Sequence, residues 1–114
     1  MDSLYFYKQL ADETRLKSLM LISYEHELCV CELTYALGLS QPKVSRHLAQ
    51  LKQVGVLSDR REGKWVYYSV NHELDEQFKQ ILALTCEHES KALNELLNQL
   101  NQMGERPTRQ NKCC

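Results

Sequence analysis

Two cysteines separated by one residue, Cys29 and Cys31, are the side chains of this sequence best suited to metal chemistry. They stand at the start of a predicted helix, where the helix dipole lowers the pKa of a thiol and favours the thiolate that binds soft metals. In a regular helix residues i and i+2 point about 200° apart. Both sulfurs can therefore bind one ion only if the first turn is irregular, and we expect chelation to distort it. The alternatives to a metal site are that the two cysteines form a thiol redox pair or that they are simply two small buried apolar residues.

Three further cysteines, Cys86, Cys113 and Cys114, bring the total to five. An odd, clustered set is typical of metal ligands or redox groups in a reducing compartment. The N-terminus shows no signal segment, and no apolar run reaches the ~18 residues of a membrane span. We expect a cytoplasmic protein that does not associate with a membrane, and we assign Cys86, on a predicted helix, to packing.

A helix-turn-helix is predicted from Cys29 to Gly55. Its first helix is closed by Gly38, and Ser40 and Pro42 are residues typical of the start of the second. The apolar positions of the second helix turn inward. The outward face carries the candidate DNA-binding residues Gln41, Lys43, Ser45, Arg46, His47 and Gln50.

A β-hairpin is predicted directly behind this motif, over residues 56–60 and 65–70, with Gly63 in the turn. An α-helix fits the major groove, where Gln pairs with adenine and Arg or Lys with guanine. Arg60, Arg61 and Lys64 of the hairpin would lie on flanking phosphates or in the minor groove. Six basic residues against two acids give residues 40–64 a charge of +4 in a chain of net charge -1. A local cationic face of this kind indicates a nucleic-acid partner.

The predicted fold class is mainly α (α+β): a winged helix-turn-helix of about five helices with a two-stranded wing. Residues 4–10 form a very apolar helix that we expect to pack against a partner subunit. Residues 72–102 are predicted as one long helix that extends across the same homodimer interface. Residues 1–103 then form the domain that binds DNA and dimerises, and 104–114 form a disordered tail with the Cys113/Cys114 pair.

The stretches ELCVCEL (27–33), LSQPKVSRHL (39–48) and GKWVYY (63–68) closely resemble the ArsR/SmtB family of winged-helix repressors. The likeness covers about residues 4–100, and ELCVCEL points to the arsenic-responsive members. The resemblance implies a dimer that binds double-stranded operator DNA of an arsenic resistance operon. As(III) or Sb(III) is then the inducer, which releases the repressor by binding thiolates of Cys29 and Cys31. No catalytic cofactor is implied.

One departure from the family concerns the third ligand. Arsenic-responsive members carry a cysteine three positions after the second, where this chain has Thr34. Trivalent arsenic prefers three sulfurs because its lone pair leaves a three-sided pyramid. Cys113 or Cys114, from the same or the other subunit, is the candidate replacement. The alternatives are water or hydroxide at that position, with a tail that has no part in sensing.

Other functions compete with the metalloid repressor. A redox-sensing, a Zn/Cd-sensing or a ligand-free winged-helix protein would share the DNA-binding part. The zinc sites known on the family's last helix correspond here to Asp75, Gln77, His88 and Lys91, of which the Gln and Lys are unsuitable. His26, near the cysteine pair, could join a Zn or Cd site, but a closed zinc site wants four ligands. An enzyme is not expected, since there is no phosphate loop and no nucleophile elbow.

Overall fold

The computed structural model describes residues 1–109 of the chain. Within them the chain forms a mainly α fold around a small antiparallel sheet, and the predicted winged helix-turn-helix is confirmed. The elements in order are α1 (Ser3–Leu10), α2 (Glu13–Glu25), β1 (Leu28–Cys29), α3 (Val30–Leu37), α4 (Gln41–Gln53), β2 (Leu57–Glu62), β3 (Trp65–Val70), α5 (Glu76–His88) and α6 (Ser90–Asn101).

The helix-turn-helix is bounded by the residues that favour its turn. Gly38 ends α3 in the left-handed region with φ 66°, and its N–H donates to the Thr34 carbonyl at 3.0 Å. A side chain with a Cβ is strained at this φ, so glycine is the residue that suits the position. Ser40 precedes α4 with an extended backbone, and Pro42 lies in its first turn. The turn between α3 and α4 is thus three residues long, from Gly38 to Ser40.

The wing has a third strand that the sequence did not predict. β3 lies in the centre of the sheet, between β1 and β2, and both pairings are antiparallel. β1 contributes only Leu28 and Cys29, which align with Tyr68 and Tyr67. The predicted two-stranded hairpin is confirmed by the pairing of β2 with β3, and β1 adds a third strand whose two residues are too few for a strand alternation to be visible in the sequence. The strand joins the sheet directly to the start of α3.

The prediction of a single helix over 72–102 was also wrong. α5 ends at His88 and α6 begins at Ser90, because Glu89 leaves the helical region with ψ 31°. No proline or glycine marks the break. Because the apolar stripe continues on both sides of Glu89, the helical periodicity gives no sign that the helix ends there. After the break α6 packs against α3.

The core is formed where α2, α3, α4 and the sheet meet. The inward face predicted for α4 is confirmed, since its three apolar positions have no exposed area. The largest fully buried apolar side chains are Phe6, Leu19, Leu21, Ile22, Leu28, Leu33, Leu48, Leu51, Leu57, Leu82 and Leu100. No helix within residues 1–109 is long and apolar enough to cross a bilayer.

Phe6 fixes α1 to the rest of the fold. Its ring stacks on that of Phe78 in α5, with centroids 4.2 Å apart and planes at 11°. Phe6→Ala should lower the free energy of unfolding by about 3–5 kcal/mol, because it removes a fully buried ring and leaves a cavity. Urea unfolding followed by circular dichroism measures the change. Tyr24→Ala, at a position 57% exposed, is the control, with an expected change within about 0.5 kcal/mol. Equal stabilities of the two variants would contradict the assignment.

Candidate functional site: the outer face of α4 and the Cys29–Cys31 segment

The outer face of α4 is polar and open to solvent at its N-terminal half. Gln41, Lys43 and Arg46 are exposed, and Ser45 is half-buried. The buried side chains on the opposite face hold this row outward. The arrangement presents amide, hydroxyl and cationic groups along one side of a helix, which suits the edges of bases in a major groove.

Two other residues predicted on this face contact neighbouring helices. The Nδ1 atom of His47 lies 3.3 Å from Nη1 of Arg15, and its Nε2 lies 4.0 Å from Oδ1 of Asp12. Burial and nearby cations lower the pKa of His47, although Asp12 opposes them, so the ring is neutral at pH 7. Nε2 of Gln50 donates to Oε1 of Gln9 at 3.1 Å. These contacts tie α4 to α1 and α2.

In the wing, Arg60 is held by carboxylates. Its guanidinium donates to both carboxylate oxygens of Glu27, at 2.8 and 2.7 Å, and to Glu62 at 3.2 Å. It also lies over the ring of Tyr67, 4.5 Å from the centroid. The positive charge of Arg60 is therefore balanced within the protein.

Arg61 points to the other side of the sheet, because side chains alternate along a strand. Asp59, two residues earlier and on the same side, pairs at 3.0 Å with Lys52 of α4. Arg61 thus shares the side of the sheet on which α4 lies, and it is exposed. Lys64, beside the turn at Gly63, lies over the ring of Trp65 at 5.3 Å.

The Cys29–Cys31 segment straddles the start of α3. Cys29 ends β1 and has an extended backbone (φ -86°, ψ 163°), whereas Cys31 belongs to the first turn of the helix. The two cysteines therefore lie on either side of the change from strand to helix and not within one regular helix. Cys29 is buried, and Cys31 is partly exposed.

The expectation that the helix start favours a thiolate is wrong for Cys29. Burial raises the pKa of its thiol to about 11, and the carboxylate of Glu32 acts in the same direction. The backbone N–H of Glu32 faces the sulfur and lowers the pKa, but by less than burial raises it. Desolvation thus exceeds the helix-terminus effect here. Cys29 is a protonated thiol at neutral pH.

Glu32 is a buried, charge-paired residue beside Cys29 that the sequence analysis did not predict. Its side chain has no exposed area and accepts from the Cys29 N–H at 2.9 Å. Arg106 donates to it at 2.7 and 3.1 Å, and Arg109 at 3.1 Å. Burial alone would raise the pKa of Glu32, but these hydrogen bonds hold it below its usual range. A glutamate three residues after the N-cap residue, here Cys29, is the pattern of a capping box, and this pattern could have identified Glu32 from the sequence. Nothing local to Arg106 or Arg109, which fall in the segment predicted as a tail, points to Glu32.

The candidates for a third metalloid ligand are not among the described residues. Cys113 and Cys114 lie outside the described residues. Within residues 1–109 no group of three His, Cys, Asp or Glu side chains is arranged to hold a metal ion. Thr34, at the family's third-cysteine position, donates its hydroxyl to the Val30 carbonyl at 2.8 Å. Cys86 packs against the core, with its sulfur 3.6 Å from the Met20 carbonyl.

Comparisons with known proteins agree with this geometry. Residues 12–59 match the family model described as "Bacterial regulatory protein, arsR family". The chain is 48% identical to the arsenic resistance transcriptional regulator ArsR2 of Pseudomonas putida, over 95% of this chain and 94% of that protein. It is 49% identical to the arsenical resistance operon repressor of Escherichia coli, over 73% of each. Among solved structures, the AntR antimony-specific transcriptional repressor superposes with a TM-score of 0.65 at 28% identity, over 78% of each chain.

The raised pKa of Cys29 predicts a slow reaction with alkylating reagents. With a pKa of about 11, the thiolate fraction at pH 8 is about a hundredfold below that of an unshifted thiol, and the thiolate is the nucleophile. Iodoacetamide labelling under reductant, mapped by mass spectrometry, should modify Cys29 far more slowly in the native protein than in urea. The native rate should rise with pH up to about pH 11. Equal rates in native and unfolded protein would contradict the burial of this thiol.

Proposed function

The chain belongs to the arsR family of bacterial regulatory proteins, and from this premise we propose that it is a cytoplasmic, metalloid-responsive transcriptional repressor. As a homodimer it binds operator DNA of an arsenic resistance operon. It leaves the operator when As(III) or Sb(III) binds its cysteine thiolates. The names of its relatives, among them arsenic and antimony regulators, support this class of inducer.

The observation that carries the proposal is the place of Cys29 and Cys31 at the junction between the wing and the helix-turn-helix. Cys29 pairs with Tyr67 of the wing and caps α3, which packs against α4. A ligand that draws both sulfurs to one atom must move this junction. Such a movement reaches both DNA-binding elements, since each is directly attached to it.

Binding exchanges hydroxide for sulfur. In the reduced protein, each cysteine thiol would transfer its proton to a hydroxide of As(OH)3, a sulfur–arsenic bond would replace an oxygen–arsenic bond, and water would leave. No electrons are transferred, so no oxidant is needed. Cys29 and Cys31 supply two sulfurs, and Cys113 or Cys114 supplies the third.

In this proposal the residues predicted to bind DNA fall into two groups: those that contact DNA and those that support α4 or the wing. Gln41, Lys43, Ser45 and Arg46 reach bases or phosphates from the outer face of α4, while His47 and Gln50 hold that helix at its angle. Arg61 and Lys64 contact phosphates from the wing. Arg60 supports the wing through Glu27 and Glu62, because its charge is already balanced.

The homodimer interface is proposed at the N-terminal helix and the C-terminal helices. Leu4, Tyr5 and Tyr7 of α1 are between 45% and 65% exposed, and Leu84 of α5 is 62% exposed. Large apolar side chains grouped on a small protein mark an interaction surface. Pairing of two copies over α1 and α5 would cover them and place two copies of α4 for two half-sites.

Substituting the two wing arginines one at a time should distinguish an arginine that contacts phosphate from one that supports the structure of the wing. Arg61→Gln should weaken operator binding and lower the slope of log K against log salt by about 1 per protomer, since one phosphate contact is lost. Arg60→Gln is the matched control and should leave the salt slope nearly unchanged. Fluorescence anisotropy at several salt concentrations measures both. A larger change of slope for Arg60→Gln than for Arg61→Gln would reverse the assignment.

Arsenite titration of operator-bound protein under strong reductant tests the inducer. We expect the wild type to leave the DNA, and Cys29→Ser/Cys31→Ser to stay bound at every arsenite concentration. Cys86→Ser, which removes a thiol outside the site, is the control and should respond like the wild type. A redox sensor would stay on DNA until an oxidant is added. A Zn/Cd sensor would respond to those ions and not to arsenite.

A further inference from the structure

A single guanidinium, that of Arg15 in the first turn of α2, joins α1 to α4. Its Nε donates to the Gln9 carbonyl at 2.8 Å, and its Nη2 donates to the Lys8 carbonyl at 3.2 Å. Its Nη1 lies 3.3 Å from Nδ1 of His47 in α4. The three nitrogens of one planar group therefore each face an acceptor on one of two other helices. We call the contacts of Arg15 with Lys8, Gln9 and His47 the Arg15 bridge.

The chemistry of each partner fixes the direction of these hydrogen bonds. The last carbonyls of a helix have no N–H partner within it, and a cation at that end also interacts favourably with the helix dipole. Arginine only donates, so Nδ1 of His47 accepts and the ring carries its proton on Nε2, which lies 4.0 Å from Oδ1 of Asp12. The same Oδ1 accepts from the backbone N–H of Arg15 at 3.0 Å. The ring and the guanidinium are therefore both oriented by the start of α2.

A second contact between α1 and α4 lies beside the Arg15 bridge. Nε2 of Gln50 donates to Oε1 of Gln9 at 3.1 Å, and Nε2 of Gln9 donates to the Tyr5 carbonyl at 3.4 Å. Gln9 and Phe6 are the buried residues of α1. Buried polar side chains are stable when they are hydrogen-bonded, and the amide of Gln9 meets this condition through α4. The polar side of α1 thus faces α4, while its exposed apolar residues belong to the dimer interface proposed above.

We propose that Arg15 is a positioning residue that fixes α4 relative to α1 and thereby sets the half-site spacing that the dimer accepts, an inference that rests on the proposed function. In a twofold dimer, the separation of the two copies of α4 depends on where each lies relative to its own dimer helix. Half-sites on one face of DNA are about 34–36 Å apart. A tilt of α4 against α1 moves both copies at once, and the Arg15 bridge opposes this tilt.

The shape of the side chain explains why arginine suits this place. Its donors are separate atoms in a rigid, planar fork, so they can face the end of one helix and the side of another together. A lysine ammonium is a single donor centre on a flexible stem. Arg15→Lys should therefore preserve the cation at the end of α1 and recover at most part of the positioning.

Fluorescence anisotropy on two sets of duplexes tests the proposal. The half-site is first obtained by selecting duplexes that the wild type binds from a random pool. One set carries a single half-site. The other carries two half-sites, at the selected spacing or with one or two base pairs inserted or removed between them. Each variant is titrated into both sets at one salt concentration.

Arg15→Gln should lose affinity and discrimination on two half-sites. Binding at the selected spacing should weaken about tenfold, roughly the effect of one lost charge-assisted hydrogen bond. Binding to a single half-site should change by less than about twofold, because the side chains of α4 that face DNA are unchanged. The affinity of the variant should also vary less across the spacing series than that of the wild type. A merely structural role would weaken binding to both sets alike.

Matched variants separate positioning from loss of structure. Lys17→Gln removes a cation that pairs with Glu13 within the same helix, and it should behave like the wild type on both sets. His47→Leu removes the acceptor on α4 and leaves the contacts of Arg15 with α1, so it should reproduce the loss of spacing preference. Circular dichroism verifies folding. If Arg15→Gln is unfolded, His47→Leu carries the same test.

Three results would overturn the proposal. An equal loss on one and two half-sites would show that Arg15 acts on the whole fold or on DNA itself. A spacing preference that both variants share with the wild type would show that the Arg15 bridge positions nothing, with the proposed function intact. A wild type that binds one half-site as tightly as two would overturn the dimeric repressor of the proposed function, and this inference with it.

Discussion

The burial of the Glu32 carboxylate is the constraint around which the segments next to Cys29 and Cys31 are arranged. An ionised carboxylate removed from water is strongly destabilising unless charge and hydrogen bonds compensate it. Compensation here comes from the backbone of Cys29 and from two arginines near the end of the chain. Loss of one such partner from a buried pair costs about 3–5 kcal/mol. The first turn of α3, the short strand β1 and residues 104–109 therefore hold together as one unit.

A second set of contacts extends from this unit to the wing. Arg106 and Arg60 both lie over the ring of Tyr67, and Arg60 pairs with Glu27 just before β1. On the other side of the sheet the pair between Asp59 and Lys52 joins the wing to α4. The hairpin is thus held from both sides by charge. A shift of β1 acts on contacts of both the wing and the helix-turn-helix.

The parts predicted correctly from the sequence are those that local signals determine. Gly38 marks the end of α3, the spacing of apolar residues defines the inner face of α4, and Gly63 marks the turn of the hairpin. The parts that were missed depend on residues distant in sequence. β1 exists because Leu28 and Cys29 meet β3, and Glu32 finds its arginines more than 70 residues later. The pKa of Cys29 was misjudged for the same reason, because burial is a property of the fold and the helix terminus is a property of the segment.

The raised pKa of Cys29 bears on which ligand the proposed sensor would select. Oxidants and alkylating reagents react with the thiolate, and this buried thiol offers little of it at neutral pH. As(OH)3 differs because its own hydroxides accept the thiol protons, and each leaves as water. The free-energy cost of forming a thiolate is then avoided, and the binding free energy becomes more favourable with each further sulfur that binds. In the proposed function, a protonated Cys29 would therefore favour a ligand that makes several sulfur bonds over a reagent that attacks one thiolate.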